Sequence, residues 1–395
     1  MHLTEIEREI SHLEAVANIK HWFSHHDVSN ALSPPDMTIK PRLDPAEAVE
    51  DVLTLFAGKG SWAEADVYFE VFKHLLLEAQ FISSDSTILP LRSWIKSAEL
   101  HPDCLFSQIL QEYDDGPLQY WRYKSLYTSD TFLIPEVLVN PFHSPPLIKT
   151  EAFDFLENYN SHCGWAAGST FREALLHGAN QIIEQHYISQ MYKQYIDFSE
   201  YSGEFYMINL PDETKSNYFD SVVNVESLDV VMCETTFGSY FCFCSVQSPL
   251  SPMTFRASSV SYDKRHAVNK ALSRLEKKLA HFDGNALSQD LKALNLLTKH
   301  ERLRPIITLA RMDRLPTLNF TDLAYSSSAS ESATFNSFDR HFYKLRNGLE
   351  SHGYDLLFNT AFQHGDLWLV STYIPGLERF NQIDKGKWVV PLGQR

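Results

Sequence analysis

Cys163-Gly164-Trp165-Ala166-Ala167-Gly168-Ser169-Thr170-Phe171-Arg172-Glu173-Ala174-Leu175-Leu176-His177-Gly178 is the stretch on which the fold turns. Gly164 and Gly168 permit tight backbone turns, and Ser169 or Thr170 can cap a helix. Beyond them Phe171, Ala174, Leu175, Ala179, Ile182, Ile183 and Tyr187 line one side, so the spacing predicts a helix over 169–195.

Working outward, the chain alternates between helical and β-rich patterns. Residues 3–23 carry Leu3, Ile6, Ile10, Leu13, Val16, Ile19 and Phe23 at spacings of three and four, which predicts a helix with a Thr4–Glu7 capping box. His21, His25 and His26 fall at its end, where cations are favoured, and read as that rather than as a metal set. Ser33-Pro34-Pro35-Asp36 stops it. Helices are expected over 46–57 and 62–82, separated by Gly58-Lys59-Gly60. Residues 130–139 mix β-formers with Pro135, the pattern of an edge strand or two short pieces. Strands are expected at 205–210, 230–233 and 239–246, then a helix at 263–282. Residues 326–332 are serine-rich and read as a mobile loop. Leu367 to Pro375 alternates apolar and polar. With no strict βαβ repeat, these parts predict a mixed α/β (α+β) sheet protein.

Composition narrows the function. Hydrophobic residues make up 44% and charged residues 21%, an ordinary globular balance. The formal charge of −16 disfavours nucleic acid and anionic membrane as partners. Five cysteines are too sparse for a disulfide framework. Cys242 and Cys244 are expected to be buried on one face of a strand, and no zinc set surrounds them. The charged start carries no signal peptide and no run approaches a membrane span, so a cytoplasmic location is expected. His162-Cys163 lacks a third group to make a nucleophile of Cys163. His352-Gly353 and His364-Gly365-Asp366 read as turns.

The 163–178 stretch resembles the central motif of the YcaO family, a Gly-x-Ala-x-Gly turn feeding a helix that opens Glu-Ala. Gly58-Lys59-Gly60 and its following helix resemble the first motif, and Leu133-Ile134-Pro135 the strand with a proline. Ser259-Val260-Ser261-Tyr262-Asp263 with the helix after it resembles the third, and Val370 to Gly376 the closing strand and Pro-Gly. The resemblance covers roughly 57–377. It implies a YcaO-type domain over 33–395 behind an N-terminal helical segment, 1–32. It also implies ATP-driven activation of a peptide amide, giving azolines, amidines or thioamides, with glutamates on three helices holding Mg²⁺ and nucleotide.

Carried over by that resemblance, the nucleotide-site positions beyond Lys59 are occupied by unexpected residues. The first helix gives Phe69 for a serine, Lys73 and Leu76 for two glutamates, and Leu77 for an arginine. The second gives His177 for a polar residue, Gln181 and Glu184 for glutamates, and Gln185 for an arginine. The third gives Lys270 for an arginine, Arg274 for a glutamate and Lys277 for a glutamine. Five expected carboxylates thus become Lys73, Leu76, Gln181, Glu184 and Arg274, a reversal of charge that opposes Mg²⁺. Glu70 and Glu78 do not restore the spacing.

Two readings follow. In one the site has become core, with basic groups paired to acids such as Glu184. In the other Lys73, Lys270, Arg274 and Lys277 hold an anion without metal. The first implies no cofactor and an impaired subunit that binds a precursor peptide, or pairs as a homo- or heterodimer with a second YcaO-like or leader-binding protein. The alternative is an active cyclodehydratase using ATP with Mg²⁺. Catalytic residues and a resident metal are not assigned. The end of the chain, Trp388 to Arg395, has one proline where azoline-forming members carry a proline-rich tail, which argues against azoline formation by this chain alone.

Overall fold

The computed structural model describes residues 7–25, 68–70, 72–73, 76–77, 86–98, 104–143, 146, 149–195, 205–211, 227–299, 307, 310–311, 321–324 and 337–392. The expected helix at 46–57, Lys59, Glu78, Thr4, His26 and the serine-rich 326–332 lie outside them.

In chain order the elements are α1 (His12–His25), β1 (Ser86–Pro90), α2 (Leu91–Ala98), α3 (Cys104–Leu110), β2 (Pro117–Ser125), β3 (Thr131–Pro135), α4 (Glu136–Val139), α5 (Glu151–Glu157) and β4 (Trp165–Gly168). There follow α6 (Phe171–Tyr195), β5 (Tyr206–Asn209), β6 (Ser227–Glu234), β7 (Tyr240–Gln247), β8 (Phe255–Ser261), α7 (Lys264–Ala280), α8 (Gly284–Lys299) and β9 (Thr321–Ala324). α9 (Ser337–Ser351), β10 (Leu357–His364), β11 (Leu367–Tyr373) and a 3₁₀ turn (Phe380–Lys385) complete them. The mixed α/β class is as expected. The chain forms two compact units: Met1–Asp154 with Asn160–Ala179 and Phe335–Pro375, and Phe155–Tyr159 with Asn180–Thr334 and Gly376–Arg395.

The first unit is built on a sheet of order β1-β2-β10-β11-β4, with β3 on β2. β3 overlaps both β1 and β10 along β2, so β1 and β10 share one edge of β2 and β3 takes the other. Pro135, with no N–H to extend the ladder, ends β3 and opens the short α4. The expected strand over 130–139 is therefore a strand and a helical turn. Trp165 is fully buried, meets Trp121 edge-on at 5.9 Å and donates its indole N–H to Val139 O at 2.5 Å. The N-terminal helix begins later than expected. Ser11 caps α1 through Glu14 N at 3.3 Å, and Ala15, Val16, Ile19 and Trp22 form its buried side, while Leu13 is 80% exposed. Glu7 and Arg8 are withdrawn from a helix because both are buried in ion pairs described below.

In the second unit the sheet order is β8-β7-β6-β5-β9, antiparallel except between β5 and β9. β7 reads Tyr-Phe-Cys-Phe-Cys without alternation because both its faces are buried. Cys242 and Cys244 pack with Ala267, Ala271, Leu272 and Leu275 of α7. Phe241 points the other way and meets Tyr187 of α6 at 5.9 Å. Burial pushes the Cys233 and Cys244 thiols up, keeping them neutral. Asp263 caps α7 by accepting from His266 N at 2.7 Å.

The rest of α6 carries buried polar groups that tie it to residues 376–392. His186 Nδ1 accepts from Glu378 N (2.9 Å), Ser189 Oγ accepts from Asn381 N (2.9 Å), and Lys193 Nζ lies 3.2 Å from Glu378 Oε2. Burial, aided by Lys193, pulls the His186 pKa down to about 3, so the ring stays neutral and serves as an acceptor. The unfolded chain takes up a proton near pH 6.5 and the folded one does not, so stability is lost as pH falls below that value. Between pH 7 and pH 5 the expected loss from this group is roughly 2 kcal/mol. Urea midpoints for wild type and His186→Asn check this: asparagine keeps an acceptor, so its midpoint should vary less with pH. Equal slopes would contradict the buried neutral imidazole.

Candidate functional site

The turn at 163–168 is where separate motifs converge. Gly164 has φ of +95°, which favours glycine, and its carbonyl accepts from Thr372 N and Thr372 Oγ1, each at 2.8 Å. β4 pairs with β11 from Trp165↔Ser371 to Trp368↔Gly168. Gly178, two turns into α6, faces the same spot: a Cβ there would meet Thr372 Oγ1 at 2.6 Å and Gly164 O at 2.7 Å. Helix, turn and closing strand can approach this closely only without a side chain at 178. Thr170 caps α6 through Glu173 N at 3.1 Å.

In the first unit, the carried-over positions are mostly core. Phe69, Leu76 and Leu77 are buried at 5%, 2% and 0% exposure. Lys73 Nζ lies 2.5 Å from Glu70 Oε2, its i−3 neighbour. His177 stands 3.7 Å from Glu7 Oε2 and 4.0 Å from Glu173 Oε1. Glu173 in turn holds Arg8 at 2.6 Å, and the Arg8 guanidinium lies 5.0 Å from the Phe69 ring centre. Phe69 thus lies against Arg8, and His177 stands beside Glu173, the acid that pairs with Arg8.

In the second unit, Glu184 and Arg274 are brought together. Arg274 Nη1 reaches both Glu184 oxygens, at 3.0 and 2.7 Å, and also Ser258 O at 2.6 Å. Ser258 Oγ donates to Glu184 Oε1 at 2.7 Å. One turn on, Lys278 Nζ donates to Arg256 O at 2.7 Å. Two cations four residues apart on α7 therefore satisfy alternate carbonyls of β8, the outer strand of its sheet, where bare carbonyls would invite another strand. Gln185 is buried, and Lys270 and Lys277 are half-buried on the α7 turns before and after Arg274.

Mg²⁺ asks for several hard oxygen ligands. Among the described residues no group of three or more His, Cys, Asp or Glu side chains is arranged to hold a metal. At the carried-over positions Glu184 is the single carboxylate, and a guanidinium and a hydroxyl already engage it. The described residues at these positions do not fit Mg²⁺. Arg8, Glu7, Glu173 and Ser258 were not legible as site residues. Glu7 and Arg8 sit in the charged start, where Glu7 read as part of a capping box, and Ser258 has no local signal; the Glu-Ala opening of the motif was the hint for Glu173.

The family model described as YcaO cyclodehydratase, ATP- and Mg²⁺-binding, matches residues 43–378. No curated protein sequence matches the chain. Among solved structures, the YcaO protein of Methanopyrus kandleri bound with AMPPCP and Mg²⁺ is 14% identical, with TM-score 0.47 over 68% of this chain and 66% of that one. A heterocyclase in complex with substrate and cofactor is 13% identical, with TM-score 0.54 over 95% of this chain and 54% of that one. The E. coli microcin synthetase McbBCD complex with pro-MccB17 bound is 12% identical, with TM-score 0.51 over 80% of each chain. The chain spans little more than half the heterocyclase. Among the described residues no helix is long and apolar enough to cross a membrane. The family match spans most of the sequence, and the last two structures share its fold: the chain belongs to the YcaO family.

Proposed function

We propose that this chain serves ribosomal peptide maturation as a YcaO-like subunit impaired in Mg-ATP chemistry, binding a precursor peptide or an active partner chain. The observation that supports this reading is the Arg274–Glu184–Ser258 cluster. A cation from the protein itself neutralises the one acid left at the carried-over positions, and the leucines of the first helix are buried. The guanidinium is covalently tethered, so Mg²⁺ would have to displace it and pay its desolvation. A precursor peptide and a second YcaO-like or leader-binding protein are the partners, in a homo- or heterodimer in the cytoplasm. The E. coli microcin synthetase McbBCD structure is itself a complex with pro-MccB17 bound.

A second reading is a working ATP-dependent cyclodehydratase forming azoline, amidine or thioamide groups. The order of motifs and the family's ATP- and Mg²⁺-binding description favour it. Calorimetric titration with ATP, run with and without Mg²⁺, separates the two. The expected result is no Mg²⁺-dependent heat. Binding that tightens with Mg²⁺ would overturn the impaired-subunit reading and call for assay as a cyclodehydratase.

A further inference from the structure

Glu7, Arg8 and Glu9 lie before the family match, which begins at residue 43. In the first unit all three reach the start of α6. Glu9 accepts from Thr170 Oγ1 at 2.5 Å and from Arg172 Nη1 at 2.9 Å, and Glu7 stands beside His177. Arg8 goes deepest. Its side chain is 2% exposed, its Nη1 donates to Glu173 Oε1 at 2.6 Å, and its guanidinium lies against the Phe69 ring. The Glu173 side chain is fully buried.

A planar cation held between a buried carboxylate and an aromatic face is the chemistry of guanidinium recognition. The carboxylate supplies charge and acceptors, and the ring a polarizable, weakly negative surface. We propose that Glu173 and Phe69 form a guanidinium-binding pocket. Arg8 of the chain's own N-terminal lead fills it in this conformation, and the arginine of a peptide takes it when the lead withdraws. Burying an ion pair gains little over an apolar filling, but removing one partner is costly. Exchange of one guanidinium for another is therefore far easier than emptying the pocket. Arg8 competes at the high effective concentration of a tethered ligand, so a peptide must add contacts of its own to displace it. The choice of a peptide as exchanging ligand rests on the peptide-maturation reading. The pocket itself does not, and neither measurement below reads nucleotide binding.

The test uses the full chain. Arg8→Ala should melt below wild type and be restored by methylguanidinium in a saturable way, but not by methylammonium. Arg8→Ala combined with Glu173→Gln should not respond. Absence of rescue, or equal rescue by both cations, overturns the pocket. A second measurement needs no variant of the chain. Hydrogen exchange of wild type is followed with a synthetic peptide of residues 1–16 added in trans. Amides of residues 7–16 in the chain should exchange several-fold faster with that peptide, and not with its Arg8→Ala form. Unchanged exchange with both peptides overturns peptide exchange at the pocket, leaving the methylguanidinium result to judge the pocket alone.

Discussion

Replacing Glu378 with alanine is expected to destabilise the second unit by about 3–5 kcal/mol, the range for breaking a buried ion pair. Its carboxylate accepts from Lys193 Nζ at 3.2 Å, from Arg379 N at 3.0 Å and from Leu392 N at 3.2 and 3.0 Å. The Lys193 and Glu378 side chains are 3% and 1% exposed, so water cannot take over when the acid is removed. Alanine leaves a buried ammonium and two backbone donors without this acceptor. The Leu392 bond anchors the last described segment, which is also held by Tyr159 Oη donating to Val390 O at 2.9 Å and by Trp388 N donating to Asn158 Oδ1 at 3.2 Å. Urea unfolding measures the loss, and amide exchange at 388–392 should accelerate with it. Combining Glu378→Gln with Lys193→Met removes both charges and should recover much of the deficit. A loss below about 1 kcal/mol for Glu378→Ala would show that the pair does not form as described.

Arg274→Met should cost roughly 2–3 kcal/mol, less than a fully buried pair because the Arg274 and Glu184 side chains keep 27% and 15% exposure. The substitution strands Glu184 with only the Ser258 hydroxyl and bares Ser258 O at the edge of β8. Arg274→Met combined with Glu184→Gln should lie closer to wild type, because no uncompensated charge is left. The coupling energy from this double-mutant cycle is the number to read. Strict additivity would mean that Arg274 and Glu184 act independently, and would remove the main support for an internal cation at this position. Arg274→Lys should fall between, since the shorter lysine keeps a cation for the carboxylate but is less able to reach Glu184 and Ser258 O together, as Arg274 Nη1 does.

Much of the fold was legible because it rests on local rules. The α6 helix announced itself through a turn, a cap and an apolar stripe, and began within two residues of the expected start. The helix at 263–282 and the strands at 205–210, 230–233 and 239–246 were found near their observed bounds for the same reason. The N-terminal helix was misread at its start because Thr4–Glu7 and Ser11–Glu14 both have the capping-box spacing. In the structure the Ser11 hydroxyl accepts from Glu14 N, while Glu7 and Arg8 are buried ahead of the helix. Leu13 shows the matching error on the stripe: its spacing placed it inside, yet it is 80% exposed.

What the sequence determined by itself was the family order of motifs, the tight turns permitted at Gly164 and Gly168, and the scarcity of carboxylates at the carried-over positions, whereas the need for glycine at 178 came from its approach to Thr372 and Gly164. The first three follow from residue type, spacing and backbone sterics, all readable along the chain. Only the tertiary structure decided which charges meet. Arg8 and Glu173 are 165 residues apart, Arg274 and Glu184 are 90 apart, and Lys193 and Glu378 are 185 apart. A charged side chain looks the same in sequence whether water solvates it or a distant partner does. Its role is fixed when folding removes the water and leaves that partner as the remaining source of compensation.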